Sequence, residues 1–180
     1  MEILRDPLGN DDPPRGAALS IGNFDGIHLG HQAVLKHVVE RAKKLDVPAL
    51  AMTFDPHPIK LLRPADAPRL LTTLEQRLDL IARTGIETCL LVPFTHRVAR
   101  MAAESFVRDV LVERLEIREV YIGKNFRFGA DRGGDVDLLT RMGEELGFQA
   151  ASSPIVEHAG GVVSSTRVRQ TVSEGRVAEA

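Results

Sequence analysis

Apolar residues fall along this chain in short continuous runs, and longer stretches of mixed polarity separate them. Ala17 to Ile21 is such a run, leading into Gly22, and it predicts a strand. From His31 to Leu45 the apolar positions are 34, 35, 38, 39, 42 and 45, the three-and-four spacing of a helix with one buried face. Ala49 to Phe54 predicts a second strand, stopped by Pro56 and Pro58. Thr73 to Ala82 predicts a helix opened by a capping box, Thr73 with Gln76 three residues on. Thr88 to Val92 reads as a third strand. Ala103 to Leu115 reads as a helix with apolar positions 106, 107, 110, 111 and 115, and Glu119 to Ile122 as a fourth strand ending at Gly123. Asp135 is placed to cap a helix that runs to Leu146 and stops at Gly147. A fifth strand is expected within residues 148 to 156, and a last helix from near Ser165 to before Gly175.

This β-α-β-α order, without repeats, predicts an α/β fold: a Rossmann-like three-layer arrangement with a parallel sheet covered by helices on both faces. In the commonest doubly wound order the first and fourth predicted strands lie side by side, and a crevice opens at their carboxyl ends. The glycine-rich loops 22–32 and 123–129 follow those two strands, so topology brings them to one place.

Composition narrows the class. At 180 residues the chain fits one domain, 43% hydrophobic and 27% charged, which excludes global disorder. A net charge of -2 is no footprint for duplex nucleic acid or an anionic membrane. The one cysteine, Cys89, forbids an intrachain disulfide, and its strand position marks it as core. No run approaches the about 18 apolar residues of a membrane span, and the polar start carries no signal-peptide pattern, so a cytosolic protein is expected. Arg41, Lys43 and Lys44 read as a solvated helix face.

Candidate chemistry sits in the loops. Phe24, Phe54, Phe126 and Phe128 fall in glycine- or proline-rich segments, as do His28, His31 and His57, an odd place for scarce rings unless they meet a ligand. Gly22-Asn23-Phe24-Asp25-Gly26-Ile27-His28-Leu29-Gly30-His31-Gln32 lies between a strand and a helix start, where free N–H groups and the helix dipole favour phosphate. His28 and His31 can donate hydrogen bonds, or positive charge when protonated; alone, such a pair is also an ordinary surface pair or a stray metal site, though a third soft ligand is missing. Thr53 to Pro58 makes a stiff extended exit from a strand, suited to a flat heteroaromatic ligand or to a rigid turn. In Gly123 to Gly129, Asn125 can read an amide or hydroxyl edge, Arg127 can carry a phosphate and a Phe can stack on a ring; equally, the phenylalanines can fold into the core. Ser164 to Arg169 places hydroxyls and Arg at a helix start, either a second anion cradle or an ordinary cap with solvated Arg.

Taken together, Gly22 to Gln32, Thr53 to Pro58, Gly123 to Gly129 and Ser164 to Arg169 resemble the FMN adenylyltransferase (FAD synthetase) module of bacterial bifunctional riboflavin kinase/FMN adenylyltransferases. That module belongs to the His-x-Gly-His nucleotidyltransferases, and the match runs in order over about residues 17 to 177. The resemblance implies transfer of the AMP moiety of ATP to the phosphate of FMN, giving FAD and pyrophosphate. It implies catalytic roles for His28, His31 and Arg169. Gly22, Asn23, Phe24, Asp25, Gly26, Asn125, Ser165 and Thr166 join them in holding ATP and its phosphates. Phe54, Pro56, Pro58, Phe126, Arg127 and Phe128 are implied near the flavin. Mg2+ is expected to arrive on ATP, since no acidic cluster resembles a dedicated cage, and ATP and FMN are the expected partners, with no nucleic acid and no membrane. Family chains continue into a riboflavin kinase barrel, expected to be absent from residues 1–180. Two competing readings stand beside this one. A sister nucleotidyltransferase would use phosphopantetheine or nicotinate mononucleotide, and the ring-rich loops favour flavin over these. A silent flavin- or nucleotide-binding module would need no catalytic groups, and His28, His31 and Arg169 favour an enzyme.

Overall fold

Alternation of small and branched residues decides how the strands are covered. The computed structural model describes residues 1–153, 155–158 and 160–180. Its main sheet has six parallel strands: β1 (Glu2–Leu4), β2 (Ala18–Ile21), β3 (Ala49–Asp55), β4 (Thr88–Pro93), β5 (Glu119–Ile122) and β6 (Gln149–Ser152), in the order β1-β4-β3-β2-β5-β6. Leu19, Ile21, Leu50, Met52, Leu90 and Ile122 point to one face, and Ala18, Ala49, Ala51 and Cys89 to the other. The small-residue face receives α1 (Leu29–Leu45) through Val34, Leu35, Val38 and Ala42, and α3 (Leu74–Ala82) through Leu78 and Ile81. The branched face receives α6 (Val136–Leu146) and a helix entered through α5 (Ala103–Ser105). Both faces are covered, as the pattern requires.

The elements match their signals closely, with the capping box at Thr73 and Gln76 formed in both directions. Cys89 is buried, as expected. Four features depart from the sequence reading. After α5 the expected α-helix continues as a π-helix, Phe106–Arg114, in which the Leu115 amide bonds the Val110 carbonyl five residues back at 3.0 Å. The wider turn still keeps Phe106, Val107, Val110 and Leu111 inside. Strand β1 gave no signal because it is a three-residue edge with no apolar run. The short hairpin of β7 (Glu157–His158) and β8 (Gly161–Val162) is exposed apart from half-buried Gly161, and was equally silent. Arg41 is not on a solvated face: its guanidinium reaches Glu119, 2% exposed at the start of β5, with the Arg41 Nε donating at 2.8 Å and the Tyr121 hydroxyl donating at 2.8 Å. Among the described residues no helix is long and apolar enough to cross a membrane.

The Glu119 cluster makes a stability prediction. Hydrogen bonding from Arg41 holds the Glu119 carboxyl below the usual range. Its contribution is complete above the unfolded value of about 4.3 and is lost as pH falls through the lower folded value. Glu119→Gln should cost about 1–3 kcal/mol in urea unfolding at neutral pH. A loss under about 0.5 kcal/mol would show that the charge contributes little.

Candidate active site

The site lies where the sheet reverses its winding. From β2 the chain crosses to β3 on one side, and from β5 to β6 on the other, so the loops after β2 and β5 splay apart. A cleft of about 400 Å³ opens there, lined by residues of the loop 22–31, by Gly123 to Phe126, by His57 and Ile59, and by Val162 to Ser165 with Arg169. Two helix starts meet in it: α1, capped by His28, and α7 (Ser165–Ser173), capped by Ser164, whose hydroxyl accepts from the Arg167 amide at 3.2 Å. Free amide N–H groups and the positive end of each helix dipole make such starts good hosts for phosphate.

The first loop is folded by its own side chains. Phe24 and Ile27 hold positive φ angles of 49° and 38°, a conformation that costs a non-glycine residue of order 1 kcal/mol, and both side chains end up in the core. Gly26, at φ 83°, has no such choice, since a Cβ there would stand 2.7 Å from Leu71 Cδ1. Between them the Asp25 carboxylate turns inward, 3% exposed, and accepts from the Leu71 amide at 2.9 Å and the Thr72 amide at 3.1 Å. It also pairs with the Arg169 guanidinium. Burial alone would raise the Asp25 pKa; the Leu71 amide and Arg169 reverse this and bring it below the usual range.

His28 and His31 stack with ring centroids 3.7 Å apart and planes 17° from parallel. His28 Nδ1 accepts from the His31 amide at 3.3 Å, which leaves the ring proton on Nε2 as a donor. Burial lowers both pKa values, and with His28 beside it His31 is pushed down to about 3. Both rings are therefore neutral at pH 7; of the two roles expected of them, hydrogen bonding or charge when protonated, the first remains, and the cations lining the cleft among the described residues are Lys124 and Arg169.

The other candidate residues separate into those at the cleft and those behind it. Gly22, Asn23, Phe24, Asp25, His28, His31, Asn125, Ser165 and Arg169 line it, with Phe126 half-buried among them, while Gly26, in the same loop, faces a neighbouring pocket with Ile27 and Arg167. Phe54 ends a strand inside the core with its ring 5.7 Å from that of Phe94, and Phe128 folds in against Phe106 at 5.6 Å. The ring that opens to the cleft from the 123–129 loop is Phe126. Arg127 turns outward, 3.8 Å from Asp135, and Thr166 is exposed in the first turn of α7, outside the residues that line the cleft. Pro56 and Pro58 do not make an extended exit. A cis Asp55–Pro56 bond turns the chain, and His57 caps the short helix α2 (Pro58–Leu62), where Pro58 takes the first position.

Two contributors were not named from sequence, and a third, His57, was singled out there without a role. Arg77, 5% exposed on α3, donates to the Asn23 carbonyl at 3.1 Å and the Phe54 carbonyl at 3.1 Å, tying the ends of β2 and β3 together under the cleft. His57 lines the wall; its place in the Thr53–Pro58 segment was a signal. Ile155, Val156 and Val162 supply an apolar wall from the hairpin region. The cleft's acidic lining among the described residues is Asp25, already taken by Arg169 and two amides, and no group of three His, Cys, Asp or Glu there is disposed to hold a metal.

A profile of the FAD synthetase family matches residues 10–167. The chain belongs to the FAD synthetase family. It is 39% identical over 166 residues to the bifunctional riboflavin kinase/FMN adenylyltransferase of Escherichia coli (strain K12), covering 92% of this chain and 53% of that one. It is 38% identical over 173 residues to the enzyme of the same name from Pseudomonas fluorescens, covering 96% and 55%. The chain thus spans about half the length of these relatives. Among solved structures it is similar to one named as a macrolide-efflux protein from Streptococcus pneumoniae, with TM-score 0.80, 24% identity, and coverage of 98% of this chain and 58% of that one. Pantothenate synthetase from Thermus thermophilus gives a TM-score of 0.57 at 18% identity, with coverage of 93% and 67%. At those identities the likeness shows the fold.

For this FAD synthetase family member the neutral histidines set a pH expectation. The folded His31 pKa lies below the ordinary 6.5, so folding favours the neutral ring. That contribution is complete above about 6.5 and is lost as pH falls from there towards about 3, because the unfolded chain binds a proton that the fold excludes. In an NMR titration the His31 ring should stay neutral to about pH 4; a midpoint near 6.5 would contradict its burial.

Proposed function

We propose that residues 1–180 transfer the adenylyl group of ATP to the phosphate of FMN, releasing pyrophosphate and forming FAD. The observation that carries this reading is the convergence of two helix starts, a neutral histidine donor and Arg169 on one cleft, in a chain of the FAD synthetase family. A phosphate monoester, with its second pKa near about 6, is already anionic at pH 7, so the attacking oxygen needs no general base. The protein's task is to hold two anions together and stabilise charge that shifts from the α-phosphoryl to the leaving pyrophosphate. His28 Nε2 and the α1 amides are suited to the former and Arg169 with the α7 start to the latter. Phe126, Ile155 and Val162 offer apolar surface to a ring. Mg2+ in this reading arrives on the nucleotide; the cleft's own carboxylate is engaged, and the residues present do not make a protein-held site.

Incubation with Mg-ATP and FMN should yield FAD. Adenylylation of nicotinate mononucleotide or phosphopantetheine in place of FMN would overturn the acceptor, and absence of any nucleotidyl transfer would overturn the enzyme. His28→Ala should lower kcat by about 100-fold with a smaller change in FMN affinity. Arg169→Lys keeps the charge but not the planar fork, and should still impair ATP use.

A further inference from the structure

Helix α7 is attached to the rest of the protein in an unusual way. Of its nine residues only Thr171 is fully buried, and that hydroxyl bonds within the helix, to the Arg167 carbonyl. Apolar burial therefore does little to fix where the helix starts. Its first turns are instead held by polar contacts: Arg167 Nη1 donates to the His158 carbonyl at 2.9 Å, and the others gather at Asp25 and the neighbouring 69–72 turn. Ser165 Oγ donates to the Asp25 carbonyl at 2.9 Å, Arg169 Nη2 donates to the Asp25 carboxylate, and Arg169 Nε donates to the Arg69 carbonyl at 2.9 Å. The same carboxylate accepts from Leu71 and Thr72. Asp25 thus joins three segments far apart in sequence: the loop after β2, the 69–72 turn, and the start of α7.

We infer that Asp25 is a positioning residue, whose carboxylate docks α7 and sets the Arg169 guanidinium in the cleft, rather than a group that touches the nucleotide. An acid among groups that must hold polyphosphate is otherwise unexplained, since it would repel the ligand. Buried at 3% exposure and bonded to two amides and a guanidinium, its charge is spent inside the protein. Arg169 keeps Nη1 free of any protein partner among the described residues, so one arm of the fork remains for an anion while the other is fixed. Fixing a cation before the reaction serves the transition state more than ground-state binding, because attraction to an anion survives a loose side chain but alignment does not.

This inference rests on the adenylyl-transfer reading for its kinetic arm and on the unliganded protein for its structural arm. Asp25→Asn keeps an acceptor for the Leu71 and Thr72 amides but turns an amide towards Arg169. Hydrogen exchange at the amides of 166–173 should then speed by about tenfold or more, with the amides of β2, β3 and α1 unchanged. In FAD formation kcat should fall by about 10-fold or more while the KM for ATP moves less than about threefold. Combining Asp25→Asn with Arg169→Met should be no worse than the more damaged single variant. Unchanged exchange in 166–173, multiplicative losses in the double variant, or a rise in KM with intact kcat would each overturn the assignment. If Asp25→Asn does not fold, Arg169→Met alone reads the same latch by exchange: faster exchange confined to α7 supports it, and wild-type exchange overturns it. Because exchange needs no substrate, failure of the latch is distinguishable from a protein that simply forms no FAD.

Discussion

Two helices direct their positive ends into the same cleft, and the fold has to hold them there when no anion is present. Like poles brought together in a partly desolvated space repel, and Arg169 on the second helix adds a full charge to the same place. The protein answers with one buried carboxylate. Asp25 lies between the helix starts, takes up Arg169, and ties the loop that carries it to the 69–72 turn. The strained φ angles at Phe24 and Ile27 belong to the same solution: they send those two side chains into the core and leave Asp25 and the two histidines around the opening.

The histidines contribute differently from a charged pair. His31, packed against Phe24 and stacked on His28, is pushed down to about 3, and burial lowers His28 below its ordinary value as well, so the pair adds little to the repulsion between the helix ends. A neutral imidazole with its proton on Nε2 still offers a directed donor to a phosphoryl oxygen, without the desolvation penalty of a buried cation. That division suits a reaction in which both reactants arrive negatively charged and no proton has to be taken from the nucleophile. Electrostatic work is left to Arg169, Lys124 and the helix starts.

Most of the architecture was legible because it rests on local signals: apolar runs for strands, three-and-four spacing for α1, the Asp135 cap and Gly147 stop for α6, and side-chain caps at Thr73 and Ser164. The chemistry-bearing loops were legible because glycine, histidine and phenylalanine are conspicuous outside regular elements. What sequence concealed is where long side chains end. Phe54 and Phe128 sit in the same segments as Phe126, yet only packing decides that they fold inward. Arg41 and Arg77 look like ordinary helix charges, and their partners, Glu119 and the carbonyls of Asn23 and Phe54, come from other elements. The neutrality of the histidines depends on burial, which spacing does not report. The Asp25–Arg169 contact joins residues 144 positions apart and had no sequence signal of its own.

In the proposed reaction the cleft aligns one phosphate for direct attack on the α-phosphorus of ATP, and no group on the protein carries the adenylyl unit. ATP labelled at the α-phosphorus tests it most directly. In a single turnover with FMN the label should pass into FAD, none should remain on protein that is denatured and washed part-way through, and label at the γ-phosphorus should leave entirely in pyrophosphate. Label retained covalently on the protein, or γ-label appearing in inorganic phosphate as FAD forms, would rule out direct transfer.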